Sequence, residues 1–188
     1  FTVKVFRLGK WSKDFDCKGY YSCEIGVREG LGSKIIMDNV KNNYMHIGVD
    51  PYGDLEYKHY DSDKEPYRCD YTDEMRDKLL TDFAGYKDKF HLANMFDSVF
   101  MSHPDNQGKK FMFVHFDGPH MTRDVLYEAV WFANRAASGC RFVFDDYPKY
   151  NMQLISDAVK PFGFKVLEQG KNKICLLYTS PSPRDTNP

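Results

Sequence analysis

The sequence lacks the patterns that mark membrane proteins and disulfide scaffolds. No apolar run approaches the roughly 20 residues of a membrane span, and no signal peptide is recognisable. The cysteines are scattered, odd in number and without a CxxC pair: Cys17, Cys23, Cys69, Cys140 and Cys175. They therefore indicate reduced thiols, and we expect a cytoplasmic protein.

An excess of charge of either sign is also missing. The 188 residues include 26 Lys and Arg against 27 Asp and Glu, a formal net charge of -1. This balance favours neither nucleic acid nor a membrane surface as a partner. Apolar residues nevertheless make up 42% of the chain and aromatic residues 16%, which is enough for a full hydrophobic core.

The two ends of the chain carry little pattern. The sequence begins at Phe1 rather than Met, and we interpret its N terminus as truncated. Residues 178–188 are rich in Pro and Ser and have no periodicity, so we predict a disordered tail and interpret it as non-native. Residues 1–177 are expected to form a single domain.

The clearest pattern is an apolar segment that runs into a glycine-rich turn, YYSCEIGVREGLGS at residues 20–33. Gly26, Gly30 and Gly32 allow a ligand to approach the backbone. A helix that begins after this turn would point free N–H groups and its positive dipole end at the ligand. The segment is therefore typical of a nucleotide-type binding site.

The glycine spacing excludes two common nucleotide motifs. Arg28 and Leu31 stand where a G-x-G-x-x-G dinucleotide fingerprint starting at Gly26 needs glycine, and the Gly-Lys-Ser/Thr of a P-loop is missing. The spacing that remains is E-x-G-x-x-x-G-x-G, from Glu24 to Gly32. A tight strand-to-helix connection without a ligand is the alternative interpretation.

Predicted strands and helices alternate along the chain. Strands are predicted over residues 20–26, 45–49, 89–93, 111–116 and 141–144, with a final hairpin-like pair at 164–168 and 173–177. Helices are predicted over residues 34–43, 97–102, 123–137 and 152–160, with Ser33 as the first N-cap and a further helix capped by Thr72. Residues 1–8 are interpreted as a short strand or the remnant of a preceding element. The alternation predicts a doubly wound α/β domain with a mostly parallel sheet and an antiparallel C-terminal strand.

Acidic residues follow the predicted strands, at the end where ligands bind in such sheets. Asp50 follows the second strand, Asp117 the fourth, and Asp145 with Asp146 the fifth. A carboxylate at Asp50 can accept hydrogen bonds from both hydroxyls of a ribose, and a capping aspartate is the alternative.

The other three acids indicate a cation. Carboxylates at the ends of adjacent strands repel one another unless they are protonated or bridged by a cation, and oxygen ligands suit Mg²⁺. A turn-and-cap pair is the alternative for Asp145 and Asp146. His120, in the turn after Asp117, is a candidate general base, although Asp117 competes for that role and a turn histidine bonded to backbone is the alternative. His115 lies within a strand and is interpreted as a satisfied core histidine.

The segments EIGVREGLGS, HIGVDPYG, FVHFDGPHMTRDV and FVFDDYPKY resemble class I S-adenosylmethionine-dependent methyltransferases. More narrowly, D-G-x-H followed by D-D-Y is similar to the macrocin-type, metal-dependent sugar O-methyltransferases. The resemblance covers residues 20–176 and implies a Rossmann-like methyltransferase sheet. It also implies methyl transfer from S-adenosylmethionine to a hydroxyl of a sugar or similar small molecule, with Mg²⁺ assistance.

The resemblance further implies roles for individual residues. The cofactor would be held by Glu24, Gly26, Gly30, Gly32, Asp50, Asp97 and Ser98, with Asp50 at the ribose and Asp97 and Ser98 near the adenine. Mg²⁺ would bind Asp117, Asp145 and Asp146, and the catalytic residues would be Asp117 and His120. Pro119 departs from the family pattern, in which an acidic or polar residue is more frequent.

Two other functions stay open at this point. One is a metal-dependent transferase for a nucleotide-sugar, in which the acidic pair holds a diphosphate through the metal. The other is a non-catalytic domain that binds the cofactor or a partner. The resemblance is compatible with a homodimer, and nothing in the sequence calls for a nucleic-acid or membrane partner.

Overall fold

A seven-stranded sheet forms the centre of the molecule. The computed structural model describes residues 2–53, 55–57, 67–68 and 71–179. In these residues the strands are β1 (Tyr21–Ile25), β2 (His46–Val49), β3 (Glu56–Tyr57), β4 (Tyr67–Arg68), β5 (Phe90–Ala93), β6 (Phe111–Phe116), β7 (Ala136–Asp145), β8 (Phe164–Gln169) and β9 (Lys173–Tyr178). The α-helices are α1 (Thr2–Ser12), α2 (Leu31–Asn39), α3 (Asp73–Asp82), α4 (Asp97–Ser102), α5 (Thr122–Ala133) and α6 (Met152–Val159).

The order of strands in the sheet is β5-β2-β1-β6-β7-β9-β8, and β3 and β4 pair separately. The first five strands of this order run parallel, whereas β9 is antiparallel to both β7 and β8. The predicted fold class is therefore confirmed. From β1 the chain moves through β2 to β5, and from β6 it moves the other way to β7. The order thus reverses between β1 and β6, and a ligand crevice opens at such a point.

Helices cover both faces of the sheet. On one face α5 buries Phe132 in a cluster with Phe142 of β7. On the other, α1 and α2 bury Leu8 and Ile36 against Phe113 of β6. All six residues of β6 are buried, as expected for a central parallel strand that is covered on both faces.

The N-terminal segment is a helix, so the short strand, one of the two interpretations of residues 1–8, is wrong. α1 buries Leu8 and Trp11, which lie three residues apart on one helical face. Trp11 Nε1 and Lys10 Nζ each donate to the carboxylate of Glu168 in β8, at 2.9 Å. The helix is thus stabilised by a strand far away in the sequence, which the short alternation at the N terminus does not reveal.

The boundary between α5 and β7 also differs from the prediction. The helix was predicted to reach residue 137, but it ends at Ala133 and β7 begins at Ala136. Ala136 pairs with Phe111 of β6, next to a shift of register in the ladder. Strand pairing outweighs the helix propensity of alanine here.

Other expectations are met within the described residues. Thr72 caps α3, since its Oγ1 accepts a hydrogen bond from Met75 N at 3.3 Å. The described cysteines are buried free thiols: Cys17, Cys23, Cys140 and Cys175. Cys69 and residues 180–188 of the predicted tail lie outside the described part. The tail was predicted to begin at residue 178, which is wrong for Tyr178, the last residue of β9. No described helix combines the length and the apolar character needed to cross a bilayer.

Candidate active site

A cavity of about 650 Å³ lies at the carboxyl ends of β1, β6 and β7. Residues that the sequence singles out line it, namely Glu24, Gly26, Gly32, Asp117, His120, Asp145 and Asp146. A smaller cavity of about 60 Å³ shares Gly26 and Asp117 with it and is also lined by Asp50 and Asp97. Gly30 and Ser98 are not among the residues that line either cavity.

The glycine turn fits tightly against its surroundings. Gly26 has a φ of +85°, and a Cβ there would lie 2.3 Å from the carbonyl oxygen of Asp117. A Cβ on Gly32 would lie 1.9 Å from Oε1 of Glu24. Only glycine lets the ends of β1 and β6 approach this closely while α2 begins directly over the buried carboxylate.

α2 begins earlier than the pattern predicts. Its first residue is Leu31, and its N-cap is Gly30 in the left-handed region, so the prediction of Ser33 as N-cap is wrong. A Cβ on Gly30 would lie 2.3 Å from Cδ1 of Leu79 in α3, which explains this glycine by packing. Ser33 is instead buried, and its Oγ donates to Oε2 of Glu24 at 2.5 Å.

A buried series of hydrogen bonds runs beneath the cavity. Oε1 of Glu24 lies 2.7 Å from Nδ1 of His115, and Nε2 of His115 lies 3.0 Å from Nζ of Lys173. Burial raises the pKa of Glu24 to about 8, against the opposing effect of the Ser33 hydroxyl. Burial, together with the Lys173 ammonium, lowers the pKa of His115 to about 3. His115 is therefore neutral, and its interpretation as a satisfied core histidine is confirmed.

The same series extends away from the cavity. Oγ of Ser33 lies 3.0 Å from Nε2 of His46, and Nδ1 of His46 lies 2.8 Å from Oγ of Ser22. His46 is fully buried, and burial lowers its pKa to about 3, with a smaller contribution from His115. A neutral imidazole thus connects the first turn of α2 to the start of β1.

Asp145 is paired with a lysine that the sequence patterns did not single out. Nζ of Lys173 lies 2.7 Å from Oδ2 of Asp145, and the two side chains are 4% and 3% exposed. Burial alone would raise the pKa of Asp145, but the Lys173 ammonium outweighs it and the pKa is lowered. Lys173 opens the otherwise apolar strand KICLLY, and a charge at the start of such a strand was the available signal.

Asp117 and His120 face the more open part of the cavity. Nε2 of His120 lies 3.4 Å from Oδ1 of Asp117, and their side chains are 27% and 33% exposed. Burial raises the pKa of Asp117, although His120 opposes it, and Asp117 also hydrogen-bonds Asp145. The opposite shifts indicate that Asp145 gives up its proton more readily than Asp117.

Asp146 lies in a turn, as in the alternative that the sequence offered to a metal ligand. Its φ of 45° places it in a left-handed turn, and its backbone N–H donates to Oδ1 of Asp145 at 2.8 Å. Its own Oδ2 accepts from Nζ of Lys149 at 2.7 Å. Asp145 and Asp146 are thus a turn pair, and both also line the large cavity.

One group of three ligand atoms lies mutually within 4.8 Å in the described part of the chain. It comes from Glu24, His115 and Asp117. It shares Asp117 with the set expected for a metal, whereas Asp145 and Asp146 each contact a lysine. Carboxylate oxygens and an imidazole nitrogen are groups that hold divalent cations.

Asp50 supports the glycine turn from the end of β2. Its Oδ2 accepts hydrogen bonds from the backbone N–H groups of Val27 and Arg28, both at 2.8 Å. Burial raises the pKa of Asp50 to about 6, against the effect of these two donors. The carboxylate therefore lies between the turn and the smaller cavity.

Asp97 lies at the start of α4 and is 4% exposed. Burial raises its pKa, and a hydrogen bond with the buried Glu128 of α5 opposes that rise. Ser98 is half-buried. Asp97 thus lines the smaller cavity from the start of α4.

Comparisons with known proteins agree with this geometry. A family model described as "Methyltransferase domain" matches residues 23–147, which contain the glycine turn and the acids that line the two cavities. No curated protein matches the sequence significantly.

Solved structures share the fold at low sequence identity. A Corynebacterium glutamicum protein is 14% identical with a TM-score of 0.65, over 97% of this chain and 83% of that one. An O-methyltransferase from Bacillus cereus, in complex with SAH, is 9% identical with a TM-score of 0.60, over 96% and 82%. The N-methyltransferase NodS from Bradyrhizobium japonicum, in complex with S-adenosyl-L-homocysteine, is 11% identical with a TM-score of 0.55, over 95% and 85%.

The matched region extends from β1 to the turn after β7 and covers more than half of the chain. It includes both the crevice between β1 and β6 and the acids that face it. The sequence-based expectation of an S-adenosylmethionine-dependent methyltransferase is thereby confirmed at the level of enzyme class, and the chain belongs to this methyltransferase-domain family.

Proposed function

We propose that the protein transfers a methyl group from S-adenosylmethionine to a hydroxyl of a small molecule, such as a sugar. One observation carries the proposal. Asp117, His120, Asp145 and Asp146 line the same cavity as Gly26 and Gly32. A donor site on the glycine turn and an acid-lined acceptor site would therefore face each other across one space.

The donor side is formed by the glycine turn and the smaller cavity. Asp50 would accept hydrogen bonds from the ribose hydroxyls, and Asp97 would lie near the adenine, because both line the smaller cavity. Gly26 and Gly32 line the large cavity and would contact the methionine part. S-adenosylmethionine supplies an electrophilic methyl group on a sulfonium.

On the acceptor side, His120 is the group we assign to take the proton of the hydroxyl. Its ring is 27% exposed at the cavity and stacks on Tyr150, with 6.5 Å between the ring centroids. Asp117, 3.4 Å from Nε2, would orient the imidazole.

Mg²⁺ is the metal that the resemblance implies, and the ligand atoms at the cavity are of the type that Mg²⁺ binds. Asp117, Asp145 and Asp146 bring carboxylate oxygens to the cavity, and hard oxygen donors are what Mg²⁺ prefers. These three residues would hold the ion, which would lower the pKa of the acceptor hydroxyl. Lys149 and Lys173 already balance part of their negative charge.

Formation of S-adenosylhomocysteine tests this proposal. The protein would be incubated with S-adenosylmethionine and a panel of sugar, alcohol and amine acceptors, with Mg²⁺ and with a chelator. We expect product with a hydroxyl acceptor and a lower rate with the chelator. Turnover confined to amines, or binding of a nucleoside-diphosphate sugar without binding of S-adenosylhomocysteine, would contradict it.

The proposal also covers the acceptor class, the cellular location and the oligomeric state of the enzyme. We propose a small-molecule acceptor on the balanced charge of the chain, a cytoplasmic location on its free cysteines, and a homodimer on the family resemblance. Light scattering coupled to size exclusion would report the oligomeric state, and a monomeric mass would contradict the homodimer.

A further inference from the structure

Lys173 places an ammonium group among the acids of the large cavity, which it helps to line. It is the first residue of β9 and pairs across the antiparallel ladder with Asp145, the last residue of β7. Its Nζ lies 2.7 Å from Oδ2 of Asp145. Strand pairing, rather than a mobile loop, therefore sets the position of this cation.

The hydrogen bonds around Lys173 require a donor at that position. An ammonium has donors only, so Nε2 of His115, at 3.0 Å, accepts from it. The ring proton of His115 then lies on Nδ1 and is donated to Glu24 at 2.7 Å. Lys173 thus satisfies two buried acceptors at once, one on Asp145 and one on His115.

A second lysine at the same cavity provides a contrast. Nζ of Lys149 lies 2.7 Å from Oδ2 of Asp146, but its side chain is 58% exposed, against 4% for Lys173. Water screens an exposed pair, whereas a buried pair interacts strongly and neither charge leaves it easily. The two pairs have the same length and differ mainly in burial.

We propose that Lys173 is a tethered cation that competes with a divalent metal for Asp145 and thereby weakens metal binding at this site. The proposal rests on the Mg²⁺ site of the proposed function. A metal that takes Asp145 as a ligand must either displace Nζ or lie close to its positive charge, and like charges at such distances in a buried site repel strongly. Without a metal, the positive charge of Lys173 already neutralises the negative charge of Asp145.

Titration of the protein with Mg²⁺, and with Mn²⁺ as a spectroscopic probe, tests the competition. We expect Lys173→Met to bind the metal at least about tenfold more tightly than wild type. The matched control Lys149→Met should stay within about threefold of wild type because its pair is exposed. Equal or weaker binding by Lys173→Met, or binding by neither protein, would overturn the proposal.

A measurement on the unaltered residue covers the case in which Lys173→Met does not fold. The buried Nζ of Lys173 is observed by nitrogen NMR and assigned by its loss in Lys173→Arg. We expect this resonance to shift on saturation with Mg²⁺, and an unchanged resonance would overturn the proposal. Formation of S-adenosylhomocysteine is measured separately, so loss of methyl transfer would count against the proposed function and not against the competition.

Discussion

Gly32 lies so close to Glu24 that a Cβ on the glycine would fall 1.9 Å from the carboxylate Oε1. The carboxylate cannot move aside freely, because Ser33 donates to one oxygen at 2.5 Å and His115 contacts the other at 2.7 Å. The start of α2 and the end of β1 are thus coupled through one buried acid.

We therefore expect Gly32→Ala to lower the free energy of unfolding by about 1–3 kcal/mol and to weaken S-adenosylhomocysteine binding. The new methyl group would have to break hydrogen bonds of Glu24. Urea denaturation and calorimetric titration measure the two effects. The control is Gly85→Ala, where an added Cβ meets nothing within 4 Å; equal behaviour of the two variants would refute the coupling.

Binding of S-adenosylhomocysteine should depend on pH through Asp50. Burial raises the pKa of this carboxyl to about 6 from 3.8, and only the ionised form can accept from both ribose hydroxyls. Binding then favours the deprotonated form, so affinity is full above the pKa and falls as the pH drops below it, by up to about tenfold per pH unit.

Calorimetric titrations from about pH 5 to about pH 8 check this prediction. Asp50→Asn should bind more weakly and with a flat profile in this range. Asp105→Asn is the control, because the Asp105 side chain is 83% exposed, and it should keep the profile of wild type. A wild-type affinity that does not change across this range would contradict the assigned role of Asp50.

His46 should make the fold sensitive to acid. Burial lowers its pKa to about 3 from 6.5, so the unfolded chain binds a proton in a range where the folded protein does not. Stability therefore falls as the pH drops from about 6.5 towards 3, by up to about 1.4 kcal/mol per pH unit for this one group.

Urea unfolding at several pH values tests the contribution of His46. His46→Gln should reduce the slope of the unfolding free energy against pH by about 1.4 kcal/mol per pH unit, which corresponds to one proton. It also removes contacts with Ser22 and Ser33 and therefore lowers the overall stability. His91→Gln, at an exposed position of β5, is the control and should leave the slope of wild type. An unchanged slope in His46→Gln would show that His46 takes up a proton in the folded protein.

Replacement of Asp145 and of Asp146 by asparagine should have different effects on the stability of the protein. Asp145→Asn leaves the buried ammonium of Lys173 without its counter-charge and should lower the free energy of unfolding by about 3 kcal/mol. Asp146→Asn removes only the partner of an exposed lysine and should change it by less than about 1 kcal/mol.

Both variants should lose methyl transfer while their affinity for S-adenosylhomocysteine stays within about threefold of wild type, because the acids lie on the acceptor side. Thermal unfolding, product formation and calorimetry give the three readouts. Equal stability of the two variants would mean that the Lys173 pair contributes little, and full turnover in both would remove these acids from the reaction.

The alternation of apolar runs and turns was sufficient to predict the sheet. The runs that became β2, β5 and β6 are mostly apolar, and they recur between helical patterns, so local chemistry and fold agree there. Placement of Asp50, Asp117 and Asp145 after strands predicted that they would meet at one edge, because parallel strands end together. Thr72 capped its helix as predicted, since an N-cap depends on residues close in sequence.

Contacts between distant segments decided the rest. The position of α1 depends on its hydrogen bond to Glu168. The start of β7 depends on pairing with Phe111. Close packing against Leu79 requires a glycine at position 30. Ser33 donates its hydroxyl hydrogen bond to Glu24. Lys173 meets Asp145 only because β9 inserts antiparallel beside β7. The sequence by itself determined the order of elements and the acids at their ends, which arise from local periodicity. Only the tertiary structure decided which charges neutralise those acids, because that depends on residues brought together across the sheet.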